Sequence, residues 1–171
     1  MKIYLKVVFI LLLLLFIILI LKDFNKPLIG KIDFIVINKD KREMLVFDRN
    51  KQLLKTYFIS LGFNPKGKKS TKGDGRTPEG IYYINGKNSK SIAHKNLGIS
   101  YPNSEDIKNS ILTGKETGGD IKIHGLMNKF WFVGKLHRLF DWTNGCVAVN
   151  NSEMDELHAN VPIGTKIIIN P

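Results

Sequence analysis

Residues 7–21 form an unbroken apolar run, VVFILLLLLFIILIL, with Lys2 and Lys6 before it and KDFNKPLIG after it. At about 1.5 Å per helical residue the run covers roughly 22 Å, short of a ~30 Å hydrocarbon core. Counting from Ile3, with Lys6 extended toward the headgroups, closes most of that gap, so a membrane-spanning helix is expected. No small-residue cleavage site follows the run, the first alanine being Ala93, and no cysteine stands there for lipoprotein processing. The expectation is an uncleaved single-pass anchor over residues 1–30. Lys2 and Lys6 predict the N-terminus inside and the remainder, residues 31–171, outside the cytoplasm, although Lys22 and Lys26 weaken the asymmetry.

Beyond the linker the pattern changes to short apolar stretches broken by polar turns. DFIVIN (33–38) and EMLVFD (43–48) flank KDKR as a hairpin-like pair, and LLKTYFISLG (53–62) follows the break at RNKQ. The Gly-, Lys- and Pro-rich stretch 63–80 predicts an exposed loop, with TPEG (77–80) as a type I turn. IYYIN (81–85), DIKIHG (120–125), CVAV (146–149) and TKIIIN (165–170) read as further strands. SEMDELHANV (152–161) reads as a helix capped by Asn151 or Ser152. Between Gly86 and Gly119 only EDIKNSIL is periodic enough for a short helix; the rest predicts a long loop, either a lid hinged at Gly118 and Gly119 or plain surface. The fold class is therefore mainly β, with one or two short helices in a single domain of 31–171 preceded by the anchor.

Composition adds a net charge of +11. That favours acidic partners such as phosphate polymers, anionic headgroups or carboxylate-rich wall material, or is simply a solvated basic surface. Nucleic acid is not expected, because no basic run is interleaved with aromatics. No metal or other cofactor is expected either: four scattered histidines and one cysteine offer no ligand-spaced pair.

The single cysteine, Cys146, follows Trp142, Thr143, Asn144 and Gly145. A glycine turn lets successive backbone N–H groups converge, so Gly145 and Cys146 are candidate oxyanion donors. A free thiol is mostly protonated at neutral pH and needs a base to act as a nucleophile. His124, at the end of IKIHG, and His137, in GKLHRLFDW, are the candidates; either is equally readable as a satisfied core histidine. His94 and His158 carry no such signal. Arg138 and Arg76 are candidate cations for a substrate carboxylate, against a surface ion pair of Arg138 with Asp141 and a solvent-facing turn for Arg76. Trp131, Phe132 and Trp142 are candidate cleft walls or core residues, and at most one of Tyr82 and Tyr83 faces a pocket.

GDGRTPEGIYYI, LGISYPN, GGDIKIHG and HRLFDWTNGCVAV, in this order and followed by VPIGTKIIIN, resemble the L,D-transpeptidase catalytic domain family (YkuD-like) from about Ile32 to Asn170. The resemblance implies a β-sandwich-like fold. It also implies Cys146 as nucleophile, His124 as base, and Thr143, Asn144 and Gly145 as the loop before the nucleophile. The implied reaction is acyl transfer from a tetrapeptide stem of peptidoglycan with loss of D-alanine, forming a 3-3 crosslink. Stem trimming or wall detachment by hydrolysis, or a non-catalytic wall-binding module, are the alternatives. Many members have His at the place of Asn144 and Arg at that of Ala148, and a shorter interval between the two catalytic residues. These departures bear on substrate anchoring and leave His137 as an alternative base or second polar group.

Overall fold

The computed structural model describes residues 2–21, 28 and 30–171. Helix α1 covers Lys2–Leu21, and its described side chains, Tyr4 to Leu15, are exposed. Among the described residues no helix is long and apolar enough to cross a membrane. Residues 22–27, where the expected anchor joins the domain, lie outside the described residues.

Eight strands follow: β1 (Phe34–Asn38), β2 (Glu43–Phe47), β3 (Leu53–Phe58), β4 (Gly80–Ser91), β5 (His94–Ile99), β6 (Lys122–His124), β7 (Val147–Ala148) and β8 (Lys166–Asn170). They form one sheet in the order β3-β2-β1-β8-β4-β5-β6-β7. Most neighbours are antiparallel, but β1 with β8 and β6 with β7 run parallel. The chain just after β3 then bridges to the far edge, Ser60 to Ala148 and Gly62 to Thr143, so the sheet closes on itself around its core. Alternation directs the packing: Ile35 and Ile37 of β1, Met44 and Val46 of β2, Tyr82 and Ile84 of β4, and Ile167 and Ile169 of β8 all point inward.

Two helices cover the sheet, α2 (Ser104–Thr113) and α3 (Asn151–Asn160), each opened by a reciprocal capping box, Asn103 with Asp106 and Asn150 with Glu153. The cap of α3 is thus Asn150, one residue before the expected Asn151 or Ser152. Residues 128–139 form a run of 3-10 turns interrupted at Phe130 and Gly134.

The expected loop 86–119 is mostly regular structure, since β4 continues to Ser91, β5 occupies 94–99 and α2 follows. The distal half of β4 is largely exposed, so nothing forces apolar alternation there; backbone pairing to β5 holds it, and Leu97 and Ile99 of β5 supply the burial. Gly118 and Gly119 flank no long lid: Lys72 N–H donates to the Glu116 carbonyl at 2.7 Å and the Tyr101 hydroxyl to that of Thr117 at 3.1 Å. TPEG is not a turn either. Thr77 is buried with its Oγ1 accepting the Gly62 N–H at 3.1 Å, and Gly80 already begins β4. Nor is loop 63–79 wholly exposed. The Asp74 carboxylate gathers the N–H groups of Ser70, Thr71 and Arg76 and the Lys69 ammonium, which together hold its pKa at about 2 against the opposing effect of burial.

Candidate active site

Cys146 stands one residue before β7. The parallel register pairs Ile123 with Val147 and His124 with Ala148, and by extension sets Cys146 opposite Lys122. Residues two apart on a strand share a face, so Lys122, His124 and Cys146 project to one side. They line a cleft of about 450 Å³ together with Trp142, Thr143, Asn144 and Asn96.

The turn before the cysteine is built by Thr143. Its hydroxyl donates to the Cys146 carbonyl at 2.7 Å and accepts the Gly145 N–H at 3.1 Å. Its own backbone is tied to the segment after β3 through Phe63 N–H to Thr143 O and Thr143 N–H to Leu61 O. Gly145 has φ +118°, and a Cβ there would sit 2.5 Å from the Arg76 carbonyl oxygen. Only glycine meets both conditions. Of the two expected oxyanion donors, the Gly145 N–H is taken up inside the turn by the Thr143 hydroxyl. The Cys146 N–H has no acceptor among the described residues.

His124 is nearly buried, and its Nδ1 lies 2.7 Å from the Gly125 carbonyl. A carbonyl only accepts, so Nδ1 carries the proton and Nε2 keeps its lone pair, as a base requires. Burial lowers the pKa of His124 below the ordinary imidazole value, the bond to Gly125 opposing and the Lys122 charge reinforcing the shift. Burial also raises that of the Cys146 thiol, with the N–H and charge of Lys122 working the other way. The resting pair is therefore neutral thiol and neutral imidazole. The sulfur is half-buried, facing the Asp120 carbonyl at 3.8 Å and the backbone N–H of Lys122.

Trp142 stands edge-on to His124 at 5.6 Å and to His137 at 6.5 Å, separating the two rings. His137 lies behind it, lining a second, apolar cavity of about 290 Å³. The Ser60 hydroxyl donates to the His137 carbonyl at 2.9 Å, so at 3.0 Å it accepts from Nδ1–H, and Nε2 remains a buried lone pair without a partner. Burial, then Arg138 and His124, bring its pKa down to about 4.

Of the remaining sequence candidates, Asn144 is exposed in the cleft. Neither arginine lines it. Arg138 pairs with Glu153 of α3 at 2.6 Å, in place of the expected Asp141, which pairs with Arg42 at 2.8 Å. Arg76 supports the Gly145 turn with its backbone and reaches the Lys68 carbonyl at 3.5 Å. Trp131 and Phe132 are exposed and outside the cleft, while Tyr82 is core, its hydroxyl on Asp106. His94 pairs with Asp155. Sequence reading missed Lys122, Asp120 and Asn96. The signal for Lys122 was present in IKIH, where the period of two sets it on the face of His124.

The profile of the L,D-transpeptidase catalytic domain family (YkuD) matches residues 32–169. No curated protein matches the sequence. Among solved structures, the helical cell shape determining protein Pgp2 of Campylobacter jejuni is 23% identical with a TM-score of 0.61, covering 82% of this chain and 48% of its own. Bd1075 of Bdellovibrio bacteriovorus is 25% identical with a TM-score of 0.57, covering 80% and 46%. L,D-transpeptidase 1 of Mycobacterium tuberculosis is 14% identical with a TM-score of 0.50, covering 83% and 63%. The chain thus matches about half the length of the first two, and the likeness to Pgp2 and to the mycobacterial enzyme is one of fold.

Proposed function

The chain belongs to the L,D-transpeptidase catalytic domain family, and on that premise we propose that Cys146 transfers an acyl group from a tetrapeptide stem of peptidoglycan to an amine. His124 Nε2 takes the Sγ proton as the sulfur attacks the carbonyl carbon of the third stem residue. The Cys146 N–H donates to the oxygen that becomes negative. As the tetrahedral intermediate collapses, the bond to D-alanine breaks and the imidazolium returns its proton to the departing amine. A thioester remains on Cys146. An acceptor amine from a second stem then gives its proton to His124 and displaces the sulfur, producing a 3-3 crosslink. The observation that carries this reading is the tautomer of His124, fixed by Gly125, on a side chain that shares its face of the sheet with Cys146, the only thiol of the chain.

Wall remodelling that bears on cell shape fits this chemistry, and Pgp2 of Campylobacter jejuni is named as a determinant of helical cell shape. We further propose that the apolar segment 7–21, preceded by Lys2 and Lys6, anchors the chain in the cell membrane with the domain outside the cytoplasm. External protease should then remove the domain from intact cells and leave the anchor in the membrane fraction; a domain protected until lysis contradicts that orientation. Incubation with disaccharide tetrapeptides should yield crosslinked dimers by mass, and Cys146→Ala should yield none. Shortened monomers alone would assign the domain to stem trimming, and no product at all to wall binding.

A further inference from the structure

A tetrapeptide stem ends in a carboxylate one residue beyond the bond that Cys146 would break. The cleft must therefore meet a negative charge beside the sulfur. Arg138 is committed to Glu153, and Lys69 is buried against Asp74 at 2.8 Å and the Thr71 carbonyl at 3.1 Å. Among the residues lining the cleft, one permanent cation remains, Lys122.

Its place is set by the backbone. Lys122 stands across from Cys146 on the neighbouring strand, roughly 4.8 Å away, and projects to the same side as His124. Its side chain is about one-third exposed, and its ammonium is held by the Asp120 carboxylate at 2.6 Å. Asp120 is itself 80% exposed, with a left-handed backbone (φ +59°). An exposed pair of this kind is weak and screened by water, so a substrate carboxylate entering the cleft can replace Asp120 as counter-ion.

We propose that Lys122 is the residue that recognises the terminal carboxylate of the donor stem, with Asp120 holding the ammonium in place until substrate arrives. The inference rests on the acyl-transfer reading and specifies its substrate: a stem that ends at the fourth residue with a free carboxylate. A stem extended by a fifth residue, or capped as an amide, presents no charge at that position.

The test compares two donors, a disaccharide tetrapeptide with its terminal D-alanine free and the same molecule with a terminal carboxamide, on the full chain and on Lys122→Met and Lys122→Arg. Release of D-alanine or D-alaninamide is followed by mass. The ratio of kcat/KM between the donors within each variant cancels any effect of the substitution on folding or on the thiol. The parent should prefer the free acid by about ten- to a hundredfold, the range for a hydrogen bond to a charged group. Lys122→Met should lose most of that preference relative to the parent, and Lys122→Arg should keep it. A preference unchanged in Lys122→Met, or none in the parent, overturns the assignment of Lys122 while leaving acylation standing. Failure of both donors to form a thioester on Cys146 removes the reading beneath it.

Discussion

Cys146 rests as a neutral thiol because burial raises its pKa while lowering that of His124. Two consequences separate this pair from a preformed thiolate–imidazolium. Alkylation by iodoacetamide should be slow at pH 7 and accelerate only above the ordinary thiol range of about 8.5. Acylation by stem peptide needs only neutral His124, so the acid limb of kcat/KM should lie below about 6.5. A flat, fast alkylation profile down to pH 5 contradicts the neutral pair. His137 carries a stability signature. Its folded pKa of about 4 lies below the unfolded value, so the unfolded chain binds the extra proton as pH falls between those two values. Stability is full above about pH 6.5 and declines toward pH 4, by about 3 kcal/mol for this one group. Urea titrations across that window should show the decline, and His137→Asn should flatten it; an equal slope in both assigns the loss to other groups. Cys146 and His124 were legible as a thiol and an imidazole at strand ends. The part of Thr143 was not, because whether its hydroxyl closes the turn, and so consumes the Gly145 N–H, depends on a side-chain geometry that spacing does not encode.

The element that matters most for the site is the loop between β3 and β4. Asp74 folds it inward, Thr77 receives the Gly62 N–H, and the Arg76 carbonyl abuts Gly145. A Cβ on Gly62 would lie 2.0 Å from the Gly75 carbonyl oxygen and 2.9 Å from Gly145 Cα, so three backbone segments meet beneath the Cys146 turn without room for side chains. Gly145→Ala should therefore cost at least about 1–3 kcal/mol in urea denaturation, from its positive φ alone, and lower acylation further by displacing the turn. Unchanged stability and turnover would mean that the turn is not held as described. Composition marked this loop as Gly-rich and exposed; its partial burial comes from Asp74 satisfying the backbone, which no run of residue types reveals. The hairpin of β4 and β5 was missed for the opposite reason, since the distal half of β4 has no buried face and hence no period. The strands β1, β2 and β8 were legible because alternate residues enter the core.

At the scale of the molecule, closure of the sheet decides where chemistry is placed. Bridges from Ser60 and Gly62 to Ala148 and Thr143 join the two ends of the strand order, and that seam lies beside the turn before Cys146. Chain entry is tied to the same body: the Leu28 N–H donates to Glu156 of α3 at 2.8 Å, and Glu156 also holds Lys55 and the Tyr57 hydroxyl. The mainly-β class followed from period-two runs alone, whereas the seam did not, because it pairs residues more than 80 positions apart through single bridges. Acyl transfer as proposed requires covalent chemistry at one atom, the Cys146 sulfur. Intact-protein mass spectrometry of the full chain, quenched in acid after incubation with disaccharide tetrapeptide, reads it directly. The expected result is a mass increase equal to the donor less D-alanine, mapped to Cys146 and lost in both Cys146→Ala and His124→Ala. An unmodified Cys146 at every time of quenching, with the stem intact, would contradict it.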